Sequence, residues 1–209
     1  MFLKILACAA LLSIPVTNKE LPDLAIGDAA PATELKLKDI TGDETDLRSI
    51  TGANGLLVIF SCNTCPFVVG SEGSEGWQGR YPALAKDCAD KGIGFVLVNS
   101  NDAKRDAGDS FADMQQQYKE QGYAGHYLLD QGHAMADAFG ARTTPHVYLF
   151  TKDLKLAYKG AIDDNVESPS AVKAHWLNDA MAAVAAGKTP EPATTRNIGC
   201  GIKRGEARK

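Results

Sequence analysis

Apolar residues fall along the chain in short unbroken runs and in helical spacings. Leu56-Leu57-Val58-Ile59-Phe60 is continuous, the pattern of a central strand buried on both faces. Phe95-Val96-Leu97-Val98 predicts a second strand of the same kind. Between them Tyr81, Leu84, Ala85 and Cys88 sit at i, i+3, i+4 and i+7, which predicts a helix that Gly92 closes. Upstream, Ile26 to Pro31 reads as an opening turn and Thr33 to Ile40 as a strand, followed by the turn signal Thr41-Gly42-Asp43. Downstream, Phe111 to Gln121 predicts a helix, Tyr127 to Leu129 a strand and His133 to Phe139 a short helix. Thr143-Thr144-Pro145 then opens a strand at His146 to Phe150, which turns at Lys152 to Lys155 and pairs back through Leu156 to Gly160. A last helix is predicted from near Ser168, with Pro169 in its first turn and Val172, Trp176, Ala180 and Val184 at helical spacing.

This order implies an α/β fold: a central mixed β-sheet flanked by helices on both faces. The first buried strand leads into Cys62-Asn63-Thr64-Cys65-Pro66, so Cys62 is expected just past the carboxyl end of a central strand, at a helix N-terminus. Gly70 to Gly76 holds three glycines in seven residues and should interrupt that helix.

Composition narrows the function. Hydrophobic residues make up 44% and charged residues 23% of the 209, as in an ordinary globular domain. The net charge of −4 argues against nucleic acid or an anionic membrane surface as a partner. Lys4 precedes an apolar stretch from Ile5 to Val16, too short to span a bilayer as a helix but shaped like the core of a secretory signal peptide. No clean small-x-small triplet follows it. Ile5-Leu6-Ala7-Cys8 resembles a lipoprotein box, with only four residues before the box. The basic–apolar–polar order favours an extracytoplasmic, exported protein over a buried helix or strand of the domain; without a cleaved leader the protein would be cytoplasmic. Residues 1–20 are thus read as a leader, 21–189 as the domain and 190–209 as a mobile tail.

The five cysteines are Cys8, Cys62, Cys65, Cys88 and Cys200. A helix N-terminus and a second sulfur one turn away both stabilise a thiolate, so Cys62 is the expected nucleophile. By position Cys62 should be exposed and attack, while Cys65, more buried, should resolve the mixed disulfide. Pro66 confines Cys65 to an extended, cap-like backbone. A zinc site would need further Cys or His ligands at short spacing, and His126, His133, His146 and His175 form no such pair. A purely structural disulfide would close a tiny loop and stabilise little. Cys88 lies on the apolar face of its helix and reads as a small buried hydrophobe. Cys200, between two glycines, reads either as a packed end or as a third, accessory thiol that shuttles to the pair.

With Gly27-x-x-x-Pro31, the apolar strand into Cys62-x-x-Cys65 and Thr144-Pro145 ahead of a strand, the chain resembles the thioredoxin-like superfamily, in its redoxin/AhpC–TSA branch, over roughly residues 24–187. Phe60-x-Cys62-Asn63-x-Cys65-Pro66-Phe67-Val68 and Gly199-Cys200-x-Ile202-Lys203 are similar to a poorly characterised thioredoxin-like subgroup. The resemblance implies a cis Pro145 against the two sulfurs, and a Thr144 backbone that hydrogen-bonds an extended substrate. It implies a thiol–disulfide oxidoreductase, monomeric, with Cys62, Cys65, Thr144 and Pro145 at the site and no cofactor beyond the redox-active disulfide. Protein disulfides would be its substrates, and a thiol donor would reset it.

Three departures bear on that expectation. The strand position where thioredoxins carry a buried acid is Ile59, the residue before Cys62 is Ser61 rather than an aromatic, and Gly70 to Trp77 reads as an insertion. Two alternatives stand beside it. A copper-binding assembly factor would use Cys62, Cys65 and a histidine such as His146, although strand alternation turns His146 away from the face of Pro145. A thiol peroxidase would need Thr and Pro where Ile59 and Gly55 stand, together with an arginine, for which Arg142 is the nearest in sequence to Pro145.

Overall fold

A computed structural model describes residues 20–205, so the leader expected over residues 1–20 lies almost wholly outside the described residues. Its elements are β1 (Leu37–Asp39), β2 (Glu44–Thr45), α1 (Leu47–Ile50), β3 (Gly55–Ser61), α2 (Pro66–Val69), α3 (Tyr81–Asp90), β4 (Ile93–Asn99) and α4 (Phe111–Glu120). There follow β5 (His126–Leu129), α5 (Ala134–Phe139), β6 (Thr143–Thr144), β7 (His146–Thr151), β8 (Leu156–Gly160), α6 (Trp176–Ala185) and β9 (Cys200–Gly201).

Seven strands form one mixed sheet in the order β2-β1-β5-β4-β3-β7-β8, while β6 and β9 pair separately. β3 and β4 run parallel, as do β4 and β5, and β7 joins β3 antiparallel with Phe60 opposite His146. Every residue of β3 is buried, which is why its sequence is continuously apolar rather than alternating. Alternation persists beneath that uniformity. Leu57 and Ile59 face a core shared with α3 and α6, and Leu56, Val58 and Phe60 face a second core shared with α1 and α5. Cys62 and Cys65 belong to the first core. Among the described residues no helix is long and apolar enough to cross a membrane.

Two elements depart from the sequence reading. The strand sought over residues 33–40 is confined to Leu37–Asp39. The final helix does not start at Ser168: a single 3-10 turn, Pro169–Ala171, is followed by irregular chain, and α6 begins at Trp176. Asp164 causes the break, since one of its oxygens accepts from the backbone N–H groups of Lys173 (2.9 Å) and Ala174 (3.1 Å). Those donors are thereby withdrawn from a continuous helix.

The Gly70–Gly76 interruption forms a compact turn. A side chain at Gly76, where φ is +68°, would meet the Val68 carbonyl at 2.5 Å, so only glycine fits there. Trp77 follows it into the core and donates its indole N–H to buried Asp163 at 2.9 Å. Asp163 also pairs with Arg80 at 2.9 Å and accepts from the Asn165 N–H. This clamp ties the insertion to the chain after β8. Asp163→Ala leaves the partly buried Arg80 guanidinium without its counter-ion and the Trp77 indole N–H without its acceptor, and should cost about 3 kcal/mol of stability in urea unfolding. An unchanged midpoint would show that the clamp contributes nothing.

Candidate active site

β3 ends at Ser61, and the next four residues carry both sulfurs before α2 begins at Pro66. The proline ring forces the preceding residue into extended backbone, and Cys65 (φ −83°, ψ 124°) is therefore the N-cap of α2. The sequence reading that put Cys62 at the helix N-terminus is corrected on this point. Cys62 lies in the connection, three residues ahead of the cap. With only four residues in α2, the helix dipole contributes little at Cys62. The exposure expected for Cys62 is not found either: Cys62 is 1% exposed and Cys65 3%.

Specific hydrogen bonds do what the helix was expected to do. The Cys65 backbone N–H donates to the Cys62 sulfur at 3.3 Å. The Thr144 hydroxyl lies 3.2 Å from the same sulfur. The Cys65 thiol donates to the Thr144 carbonyl at 3.1 Å. Hydrogen bonding between the two thiols lets the pair lose its first proton at about 5, and that bonding together with burial pushes the second loss well up. Such a bond shares one proton, so the charge belongs to the pair. The surrounding oxygens and nitrogens decide where it rests. A carbonyl only accepts, so the Thr144 oxygen keeps a proton on Cys65; an N–H only donates, so the Cys65 amide favours a thiolate at Cys62.

Thr144 owes its place to the strand junction. The Thr144–Pro145 peptide is cis, and β7 starts directly after it. The backbone of Thr144 is not open to an extended substrate, which corrects a second expectation. Its register partner is Cys200 of β9, and Thr143 is opposite Gly201. The segment read as a mobile tail is docked. Ile202 is buried in the second core and its N–H donates to the Arg142 carbonyl at 3.0 Å. Lys203 is held through its N–H to the Asn101 side chain (2.9 Å) and its carbonyl to the Ala103 N–H (2.9 Å). The Cys200 side chain packs against the core that holds the pair, and burial, with the neighbouring Cys65 thiol, pushes Cys200 up to about 11.

Asp109 is the residue the sequence reading missed. It is fully buried between β4 and α4 and fixes the loop between the sulfurs. The Asn63 N–H and the Thr64 hydroxyl each donate to it at 2.7 Å. Asn99 (2.7 Å) and Asn101 (3.2 Å) supply amide donors from the end of β4. Asn63 in turn accepts from the Tyr127 hydroxyl at 2.8 Å. Its negative charge also raises Cys62. The one sequence signal was Ser110, whose side chain caps α4 in a capping box with Asp113 and so marks Asp109 as the residue just before a helix.

The remaining candidates separate from the sulfurs. His146 packs its ring on Tyr148, with centroids 4.6 Å apart, on the side of the sheet away from the cysteines, and burial lowers it to about 4. Cys88 is fully buried against Met181, and burial pushes it up to about 12. Ile59 is buried and apolar, so no hydroxyl stands at its position. The Arg142 side chain reaches the Leu21 carbonyl, at 3.5 Å. Among the described residues no group of three or more His, Cys, Asp or Glu side chains is placed to hold a metal ion.

The Redoxin family model matches residues 25–174. Among solved structures, an uncharacterized conserved protein from Geobacillus kaustophilus is similar at 30% identity and a TM-score of 0.78, over 94% of this chain and 100% of that one. A hypothetical protein from Sinorhizobium meliloti 1021 is similar at 30% identity and a TM-score of 0.78, over 89% and 98%. Peroxidoxin BcpB from Mycobacterium tuberculosis shares the fold at 16% identity and a TM-score of 0.51, over 78% and 94%. A comparison with curated proteins finds no match.

The Thr144 hydroxyl lowers both sulfurs of the pair. In wild-type protein, thiolate absorbance should appear as pH rises through about 5, far below an ordinary thiol. Thr144→Val removes the hydroxyl and keeps the shape, so that first step should move to higher pH. A titration that superposes on wild type would show that the hydroxyl leaves the thiolate unaffected.

Proposed function

The chain belongs to the Redoxin family, which places it among redox proteins, and on that premise we propose that it is a thiol–disulfide oxidoreductase. The observation that carries this reading is the Cys62–Cys65 pair, hydrogen-bonded to both the hydroxyl and the carbonyl of Thr144. Cys62 is the attacking thiolate and Cys65 the resolving thiol. Their hydrogen bonds differ in the sense this division needs, with donors at Cys62 and an acceptor at Cys65.

In the reductive direction the Cys62 thiolate forms a bond to one sulfur of a substrate disulfide, and the other substrate sulfur leaves as a thiolate. Cys65 then gives up its proton and attacks the Cys62 sulfur. The second substrate sulfur leaves, and the Cys62–Cys65 disulfide retains the oxidation that the substrate has lost. A thiol donor outside the chain returns two electrons. Protein disulfides are the substrates proposed, in an extracytoplasmic setting, and Thr144 with Pro145 forms the wall against the sulfurs. Thiol peroxidase chemistry has less support here, because the buried apolar side chain of Ile59 stands where that chemistry needs a hydroxyl.

The test is a redox titration in which alkylation and mass spectrometry report each cysteine. A Cys62–Cys65 disulfide should form cooperatively, at a potential within the roughly −270 to −120 mV spanned by oxidoreductases of this motif. Cys62→Ser should abolish turnover of a disulfide substrate. Cys65→Ser should instead accumulate the mixed disulfide at Cys62. Absence of the internal disulfide at every potential would overturn the reading. So would fast peroxide consumption that depends on Cys62 and leaves disulfide substrates untouched.

A further inference from the structure

Cys200 sits where an extended substrate of the thiol pair would sit. β9 runs antiparallel to β6, with Cys200 opposite Thr144, the residue whose hydroxyl and carbonyl hold the two sulfurs. The close approach is built into the sequence. A side chain at Gly199 would meet the Thr144 carbonyl at 2.4 Å, so only glycine lets the strand come this near. Ile202 and Lys203 then anchor the far side of the strand in the second core and on Asn101. Cys200 packs against the core that holds Cys62 and Cys65, and it is the partly exposed member of the three, the other two being buried.

We propose that Cys200 is an internal exchange partner, which takes over the disulfide from the Cys62–Cys65 pair by bonding to Cys65. The step rests on the oxidoreductase reading above. Cys200 loses its proton and its sulfur attacks the Cys65 sulfur. The Cys65–Cys200 bond forms as the Cys62–Cys65 bond breaks, Cys62 leaves as a thiolate, and the proton of Cys200 passes to solvent. The three cysteines keep the same total oxidation throughout, so no outside oxidant or reductant enters this step. Its effect is to return Cys62 to its nucleophilic form while the oxidation moves toward the surface, where a donor thiol can collect it.

Tryptic cleavage separates the players, because Cys62 and Cys65 share the peptide 49–80 while Cys200 lies in the peptide 197–203. Full-length reduced protein is oxidised with glutathione disulfide, free thiols are blocked with N-ethylmaleimide, and the digest is mapped without reduction. Wild type should yield both the internal Cys62–Cys65 link and a cross-link of the two peptides through Cys65. Cys62→Ser should drive most molecules to the cross-link. Gly199→Ala, which forces β9 off Thr144, should reduce the cross-link several-fold and spare Cys62–Cys65. Wild type with Cys62–Cys65 intact but Cys200 fully blocked, together with Cys62→Ser carrying glutathione on Cys65, would overturn the proposal and leave the oxidoreductase reading standing. Loss of the Cys62–Cys65 link itself, read from the 49–80 peptide alone, is the separate failure of that reading and removes the relay with it.

Discussion

Thr144 offers one hydroxyl, one carbonyl and one strand edge, and a different cysteine takes each. The hydroxyl faces Cys62, the carbonyl accepts from Cys65, and the strand edge holds Cys200. Thr144 is thus the point where the three cysteines meet, two through their sulfurs and one through its backbone. The chemistry of the site therefore depends on holding one threonine in place. The sheet does so by registering β7 against β3, which sets the residue after Pro145 opposite Phe60, two positions before Cys62.

The other half of the site is fixed from the opposite side. Asp109 gathers donors from the loop between the sulfurs and from the end of β4, two segments with no covalent reason to stay together. Arg105 closes this network, donating to the Asn99 side chain and to the Asp109 carbonyl, both at 2.8 Å. A buried carboxylate with this many donors is well satisfied, and its removal would leave several amides unpaired. Its cost is a negative charge near Cys62, which opposes the thiolate. The nearer contacts, the Cys65 N–H and the Thr144 hydroxyl, act against that opposition.

The sequence made legible what local chemistry dictates. β3 and β4 announce themselves as apolar runs because both faces of the sheet are covered. The placing of Cys62 after β3, and of Thr144-Pro145 before β7, follows from strand ends and a proline. The apolar alternation that turns His146 from the sulfurs also held. What failed needed distant partners. Cys62 looked exposed because no nearby residue covers it; the cover comes from Thr144, 82 positions away. The chain after residue 190 looked free because it is polar and carries one anchoring aliphatic, Ile202, whose pocket is formed by elements far earlier. Asp109 sits in a polar stretch that reads as any surface loop, and its burial is visible only once Asn63, Asn99 and Asn101 converge. Asp164 broke the last helix through side-chain acceptors that no periodicity records.

The segment that carries Cys200 does a second job on its way there. Thr194 pairs with Lys159 of β8, whose N–H donates to the Ala193 carbonyl and whose carbonyl accepts from Thr195. β8 is the outermost strand of the seven, and its free edge would otherwise present unpaired backbone groups to any neighbouring chain. Proteolytic loss of the chain from Ala193 onward would therefore remove a thiol and bare the Lys159 end of the β8 edge, the Leu156 end staying paired with Gly27 and Asp28. For this chain, colloidal solubility and thiol chemistry share a single strap, so a nicked molecule would be prone to edge-to-edge association as well as chemically altered.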